Sequence, residues 1–168
     1  MKLIHFNDFR LGVLTDAGVV DVTDLIADIP HTNAGDRMSG LIERFDCYRG
    51  KLEAAAAAGT AILVSSVRIR PPTPRPGNIV CMAVNYMENG TLHAPPPPNA
   101  FHKAANAIIG NGDTMVLPDA PATIFEGEAE LALVIGKRAC KVPAEKAFEY
   151  IFGYMNFIDG SARGLPPE

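Results

Sequence analysis

Short apolar runs separated by turn-forming residues open the chain. Residues 2–6, 10–14 and 19–22 are such runs, with Asn7-Asp8 and Asp16-Ala17-Gly18 between them. This punctuation predicts a small meander of strands. Thr23 or Asp24 stands where it can cap a short helical turn through Leu25 and Ile26. Residues 31–40 are polar and glycine-containing and read as loop. Over 38–58, Leu41, Ile42, Phe45, Leu52, Ala55 and Ala56 recur at spacings of about three and four, which predicts a helix. Gly50 weakens it and Gly59 is its natural stop. Residues 61–67 predict a further strand.

Four prolines within 71–76 then interrupt the pattern, because proline can join neither a ladder nor a helix interior. Residues 71–77 read as a semi-rigid, extended connector. It divides a small N-terminal α+β domain, 1–70, from a larger unit, 78–168; a surface loop within one domain is the alternative. Residues 78–84 form a continuous apolar run, hence a buried strand. A second proline block, 94–99, follows a polar loop. Residues 113–117 predict a short strand ending at Pro118, 126–137 a long one, 142–145 the opening of a short helix, and 151–158 a last strand.

The 168 residues are 48% hydrophobic and 20% charged, which excludes a wholly disordered chain. Fifteen basic residues, scattered and outnumbered by 19 acidic ones, argue against a general binder of nucleic acid or anionic membranes. No apolar run approaches the roughly 18 residues that a membrane span needs. Cys47, Cys81 and Cys140 make no CxxC pair, so zinc-ribbon and thioredoxin readings fail, and the expectation is reduced thiols in a cytoplasmic protein.

The most informative chemistry lies in Glu126-Gly127-Glu128-Ala129-Glu130. On a strand, alternate side chains share a face, so the three glutamates stand together about 7 Å apart. Leu131, Leu133 and Ile135 fill the opposite face. At an effective dielectric near 20 each adjacent pair repels by about 2 kcal/mol. Solvent, basic partners or a bound cation must compensate. Oxygen-only ligands suit Mg²⁺, Mn²⁺ or Ca²⁺ better than zinc. Asp159, at the end of the 151–158 strand, is the best candidate for a third carboxylate; a simple Asp-Gly turn is its bland reading. Tyr86 directly follows a buried run, Lys103 is placed to pair with a substrate carboxylate, and His93 is a candidate general base. His5 and His31 carry no signal of this kind.

In order along the chain, several segments resemble the fumarylacetoacetate hydrolase family. They are Pro76-Gly77-Asn78-Ile79-Val80-Cys81 with Asn85-Tyr86, the stretch 97–103 ending in Phe-x-Lys, and Gly112-Asp113 through Leu117-Pro118. Glu128-Ala129-Glu130-Leu131 with Val134-Ile135-Gly136-Lys137 follows, and then Gly153-Tyr154 with Asp159-Gly160-Ser161-Ala162-Arg163. The resemblance implies an α+β, mainly β protein: a mixed β-sandwich roll of that family's type, incomplete, with 78–168 as the first part of its catalytic domain. It implies a divalent cation, Mg²⁺ or Mn²⁺ with Ca²⁺ as a further option, on Glu128, Glu130 and Asp159, leaving Glu126 as an extra carboxylate at the rim. Arg163 matches an arginine that faces substrate carboxyl groups, and Tyr86 and Lys103 fall near the same cleft.

The implied activity is hydrolytic or lyase cleavage of a C–C bond in a small 2-oxo or β-dicarbonyl acid through an enolate, as in aromatic catabolism. The alternatives are an isomerase or decarboxylase of the same family, such as a 5-carboxymethyl-2-hydroxymuconate isomerase, or a non-catalytic truncated scaffold. A homodimer is implied too. Two departures stand out. Where many relatives carry a lid histidine this chain has Asn89, so Glu88 or His93 would serve as base. The chain also ends at Glu168, where the family continues through strands that close the roll. The expectation is a fragment, or a partner chain that completes it.

Overall fold

The computed structural model describes residues 1–84, 92–94 and 96–166. The chain forms two compact units, Met1–Asp113 and Thr114–Glu168.

In the first unit, β1 (Lys2–Phe6), β2 (Arg10–Thr15), β3 (Gly18–Asp21), β4 (Ala61–Ile62) and β5 (Ile69–Arg70) make an antiparallel sheet in the order β4-β3-β2-β1-β5. The expected meander is its centre. Gly18 closes the β2–β3 hairpin with φ +134°, and a Cβ there would run into the Ile62 carbonyl. The strand expected over 61–67 is only β4, because the N–H and Oγ of Ser66 both bond back to the Leu63 carbonyl, at 3.0 and 2.8 Å, and turn the chain.

The helix expected over 38–58 is two helices, α1 (Ala34–Glu43) and α2 (Phe45–Ala58). It starts earlier because the Asn33 side chain accepts from the N–H groups of Gly35 and Asp36 and caps the first turn. It breaks at Arg44, where i→i−3 bonds from Arg44 to Leu41 (3.2 Å) and from Cys47 to Arg44 (2.9 Å) replace the longer ladder. Met38 and Leu41 of α1 and Tyr48 and Leu52 of α2 join Leu11, Val13, Val20, Val22, Ile26 and Ile29 in one core. The Tyr48 hydroxyl donates to Asp28 at 2.8 Å, so the ring is buried with its polar tip satisfied.

His5 belongs to this unit as well and is fully buried, with Nδ1 3.3 Å from the Pro71 carbonyl and the Phe9 ring edge-on. Burial holds its pKa below the ordinary 6.5, with Arg37 acting in the same direction. The native state therefore refuses a proton that the unfolded chain accepts. The stability His5 contributes is complete above about pH 6.5 and is lost as pH falls below it, at most about 1.4 kcal/mol per pH unit. Urea midpoints of wild type and His5→Gln, compared between about pH 5 and pH 7.5, should show a steeper acid decline in wild type. Parallel curves would remove His5 as the cause.

The first unit is completed by β6 (Ile79–Ala83) and β7 (Asn99–Lys103), an antiparallel pair with Cys81 opposite Phe101. β6 is the strand expected from the apolar run, but not a buried one: only Cys81 is buried, while Val80 and Met82 are 57% and 42% exposed because nothing among the described residues covers them. β7 carries no strand-like apolar alternation. Residues 113–117 form no strand: Met115, Val116 and Leu117 are exposed, and no ladder partner faces them among the described residues.

In the second unit, β8 (Ile124–Ile135) and β9 (Ile151–Arg163) form a long antiparallel pair. A 3-10 segment, Ala144–Tyr150, precedes β9. β9 continues five residues past the expected end at 158, through Asp159-Gly160. The ladder with the first half of β8 overrides the turn preference of Asp-Gly. The alternation of β8 is as expected, but the face bearing Leu131, Leu133 and Ile135 is not filled. These side chains are 59%, 51% and 57% exposed, because nothing among the described residues covers them. The architecture is thus mainly β, with α1 and α2 in the first unit and with sheets that are not closed. Among the described residues no helix is long and apolar enough to cross a membrane.

Candidate metal centre on the β8–β9 ladder

The site follows from strand periodicity and register. Glu126, Glu128 and Glu130 share one face of β8, and the ladder sets Ser161, Asp159 and Phe157 of β9 directly opposite them. Residues directly opposite in an antiparallel pair project to the same side. Asp159 therefore faces Glu128 across the ladder and lies one diagonal step from Glu130. Asp159 is 2% exposed, and Glu128 and Glu130 are half-buried. Carboxylate oxygens of Glu130 and Asp159 approach within 4.8 Å of one another.

Arg163 offsets charge on the two outer glutamates of this face. It stands on the same face, opposite Ile124, and its Nη2 donates to Glu128 Oε1 at 2.6 Å while its Nε donates to Glu126 Oε2. The hydrogen bond to Glu126, reinforced by the charges of both glutamates, raises the guanidinium pKa further and keeps it charged. Glu126 is an exposed extra carboxylate that pairs with Arg163. The signal for it was the unbroken alternation 126-128-130 set against the arginine four residues after Asp159. Of the remaining candidates, Lys103 ends β7, half-buried, with its ammonium 5.7 Å from the Phe101 ring centroid. His93 is exposed in a bend. Tyr86, Glu88 and Asn89 lie outside the described residues. Cys47, Cys81 and Cys140 form no disulfide.

The donor set suits a hard cation. Glu128, Glu130 and Asp159 offer oxygen only and come from one rigid two-stranded ladder, leaving other positions for water or substrate oxygens. A cavity of about 300 Å³ lies elsewhere, in the first unit, around the Arg10–Asp21 ion pair and Asp24. It holds no comparable convergence of carboxylates.

The model of the fumarylacetoacetate (FAA) hydrolase C-terminal domain matches residues 78–168. Maleylpyruvate hydrolase of Aquipseudomonas alcaligenes is 32% identical over 181 aligned positions, covering 98% of this chain and 62% of that protein. Oxaloacetate tautomerase fahd2, mitochondrial, of Xenopus laevis is 30% identical, covering 97% of this chain and 53% of that protein. The crystal structure of maleylpyruvate hydrolase from Sphingobium sp. SYK-6, in complex with manganese(II) and pyruvate, superimposes with a TM-score of 0.85. It is 33% identical, over 98% of this chain and 60% of the other. The chain therefore spans a little over half to three-fifths of the length of these relatives.

Proposed function

Because the chain belongs to the fumarylacetoacetate hydrolase family, we propose that its acidic ladder holds a divalent cation and serves the cleavage of a C–C bond in a small 2-oxo or β-dicarbonyl acid. The observation that carries this reading is the register that sets Asp159 opposite Glu128, with Glu130 beside them. Glu128, Glu130 and Asp159 are the ligands. Mn²⁺ and Mg²⁺ both suit three carboxylates; the Sphingobium enzyme, crystallised with manganese(II) and pyruvate, supports the first.

When bound, the cation supplies Lewis-acid polarisation of adjacent carbonyl and carboxylate oxygens. The chain's own residues do the rest. The three carboxylates fix the position of the charge on a rigid ladder. Arg163, on the same face, is the group that meets a substrate carboxylate. Tyr86 and Lys103 are assigned to substrate binding, and His93 or Glu88 to proton transfer, on the family resemblance.

The match begins at residue 78, directly after the proline-rich 71–77, which supports a catalytic domain over 78–168 and a separate N-terminal domain over 1–70. The protein is taken to work as a cytoplasmic homodimer.

A second reading, keto–enol isomerisation of an oxo acid, is favoured by the tautomerase among the relatives. It needs the same enolate but no attack by water. A third reading is a scaffold that keeps the ladder without turnover.

The test is thermal unfolding of wild type and Glu128→Gln with EDTA, then with Mg²⁺ or Mn²⁺. An ion that binds only the native state raises the midpoint. The rise is expected in wild type and not in the variant, and equal responses refute the site. Ultraviolet absorbance of oxaloacetate, with pyruvate release assayed in parallel, then separates tautomerisation from cleavage. Neither signal above the buffer rate, in a chain that binds the ion, supports the scaffold.

A further inference from the structure

We propose that Arg163 is a built-in competitor for the divalent cation: it occupies Glu128 through a contact that the ion must displace, while Glu126 keeps the guanidinium beside the site. The inference rests on Glu128, Glu130 and Asp159 being the ligands, and it adds how they are guarded and what metal binding releases.

Three observations point this way. Glu130 and Asp159 already converge, with oxygens within 4.8 Å. Glu128, directly opposite Asp159, instead gives Oε1 to Arg163 Nη2 at 2.6 Å. The same guanidinium is anchored through Nε on Glu126, one alternate position further along β8. One planar fork thus spans two carboxylates of the acidic face, an arrangement that suits arginine and that a lysine ammonium, a single point charge on a flexible stem, does not reproduce. The ion pairs are open to water, with 52% of the Arg163 side chain exposed and 42% and 39% of those of Glu126 and Glu128. Exposed pairs of this kind are weak and salt-sensitive, so a divalent ion can displace them.

The displacement has a chemical consequence. The Nη2 donor is committed to Glu128. Once the ion takes Glu128, Nη2 becomes available to an anionic partner next to the ion, while Glu126 retains Nε. Metal binding thereby prepares the cationic group that receives the carboxylate of a 2-oxo acid. The order of binding is ion first, acid second.

Mn²⁺ affinity of the full chain, followed by the EPR signal of free Mn²⁺, tests this with wild type, Arg163→Lys, Arg163→Gln and Asp159→Asn. Circular dichroism establishes that each variant is folded. If contact with Glu128 is what competes, Arg163→Lys binds Mn²⁺ about threefold tighter than wild type at unchanged charge, and Arg163→Gln about tenfold tighter. Added salt should narrow the gap between wild type and Arg163→Gln.

If Arg163→Lys matches wild type while Arg163→Gln is tighter, Arg163 acts only as a nearby charge and the competition is overturned. Weaker binding by Arg163→Lys also overturns it. If wild type, both Arg163 variants and Asp159→Asn all fail to bind, or all bind alike, the ligand assignment itself has failed and the competition falls with it.

Discussion

Replacing Asp159 with Asn should lower Mn²⁺ affinity at least about 100-fold, the loss expected when a buried, charged ligand becomes a neutral amide. Asp159 is the most buried acidic group of the ladder face, at 2% exposure, and faces Glu128 across the strand pair. Asparagine keeps its shape and one oxygen, so the ladder can form while the charge is lost. The linked effect on stability gives a second readout. An ion at a hundred times its dissociation constant adds about 2.7 kcal/mol to the native state, and that increment should fall to about 0.4 kcal/mol or less in the variant. Glu126→Gln is the control. Glu126 lies on the same face but contacts Arg163 in the open, so its loss should change affinity by no more than about threefold. A large loss in Asp159→Asn beside a small one in Glu126→Gln identifies a site. Similar losses in both would mean that Mn²⁺ senses only a diffuse acidic surface, and the ligand assignment would have to be abandoned.

Much of this site was legible because strand periodicity is a local property. The alternation of Glu126, Glu128 and Glu130 with apolar neighbours set their shared face before any partner strand was known. The family's fold, implied by the ordered motifs, is likewise shared with the maleylpyruvate hydrolase relative, at a TM-score of 0.85.

What the sequence hid depends on pairing. Asp159-Gly160 has the local chemistry of a turn, and only the ladder with β8 makes it the middle of a strand. The role of Glu126 was hidden for the same reason: its partner is 37 residues away and is brought near by register alone. The break between α1 and α2 left no trace, since apolar spacings of three and four fit one long helix as well as two short ones joined at Arg44. At 113–117 the error ran the other way. An apolar run reads as a strand, but a strand exists only where another strand pairs with it. The same dependence explains the Leu131–Leu133 face, apolar by pattern yet exposed because nothing among the described residues covers it.

The largest stability effect is expected at Leu52. Helix α2 ends in five consecutive alanines, the best helix formers, and propensity alone assigns its stability to that segment. Burial argues otherwise. Leu52 is 0% exposed and sits in the core with Tyr48, Leu41 and the strand residues Leu11 and Val13, whereas Ala57 and Ala58 face solvent. Leu52→Ala keeps helix propensity high and removes packing, and should cost about 2–5 kcal/mol. Ala57→Gly does the reverse and should cost no more than about 1 kcal/mol. Urea unfolding of both variants, monitored by far-ultraviolet circular dichroism, separates the two sources of stability. A much larger midpoint shift for Leu52→Ala means that α2 is held by its contact with the sheet, as a helix of 14 residues in water should be. Comparable shifts would mean that the alanine run stabilises the helix directly and that the core closes over the loss of a leucine.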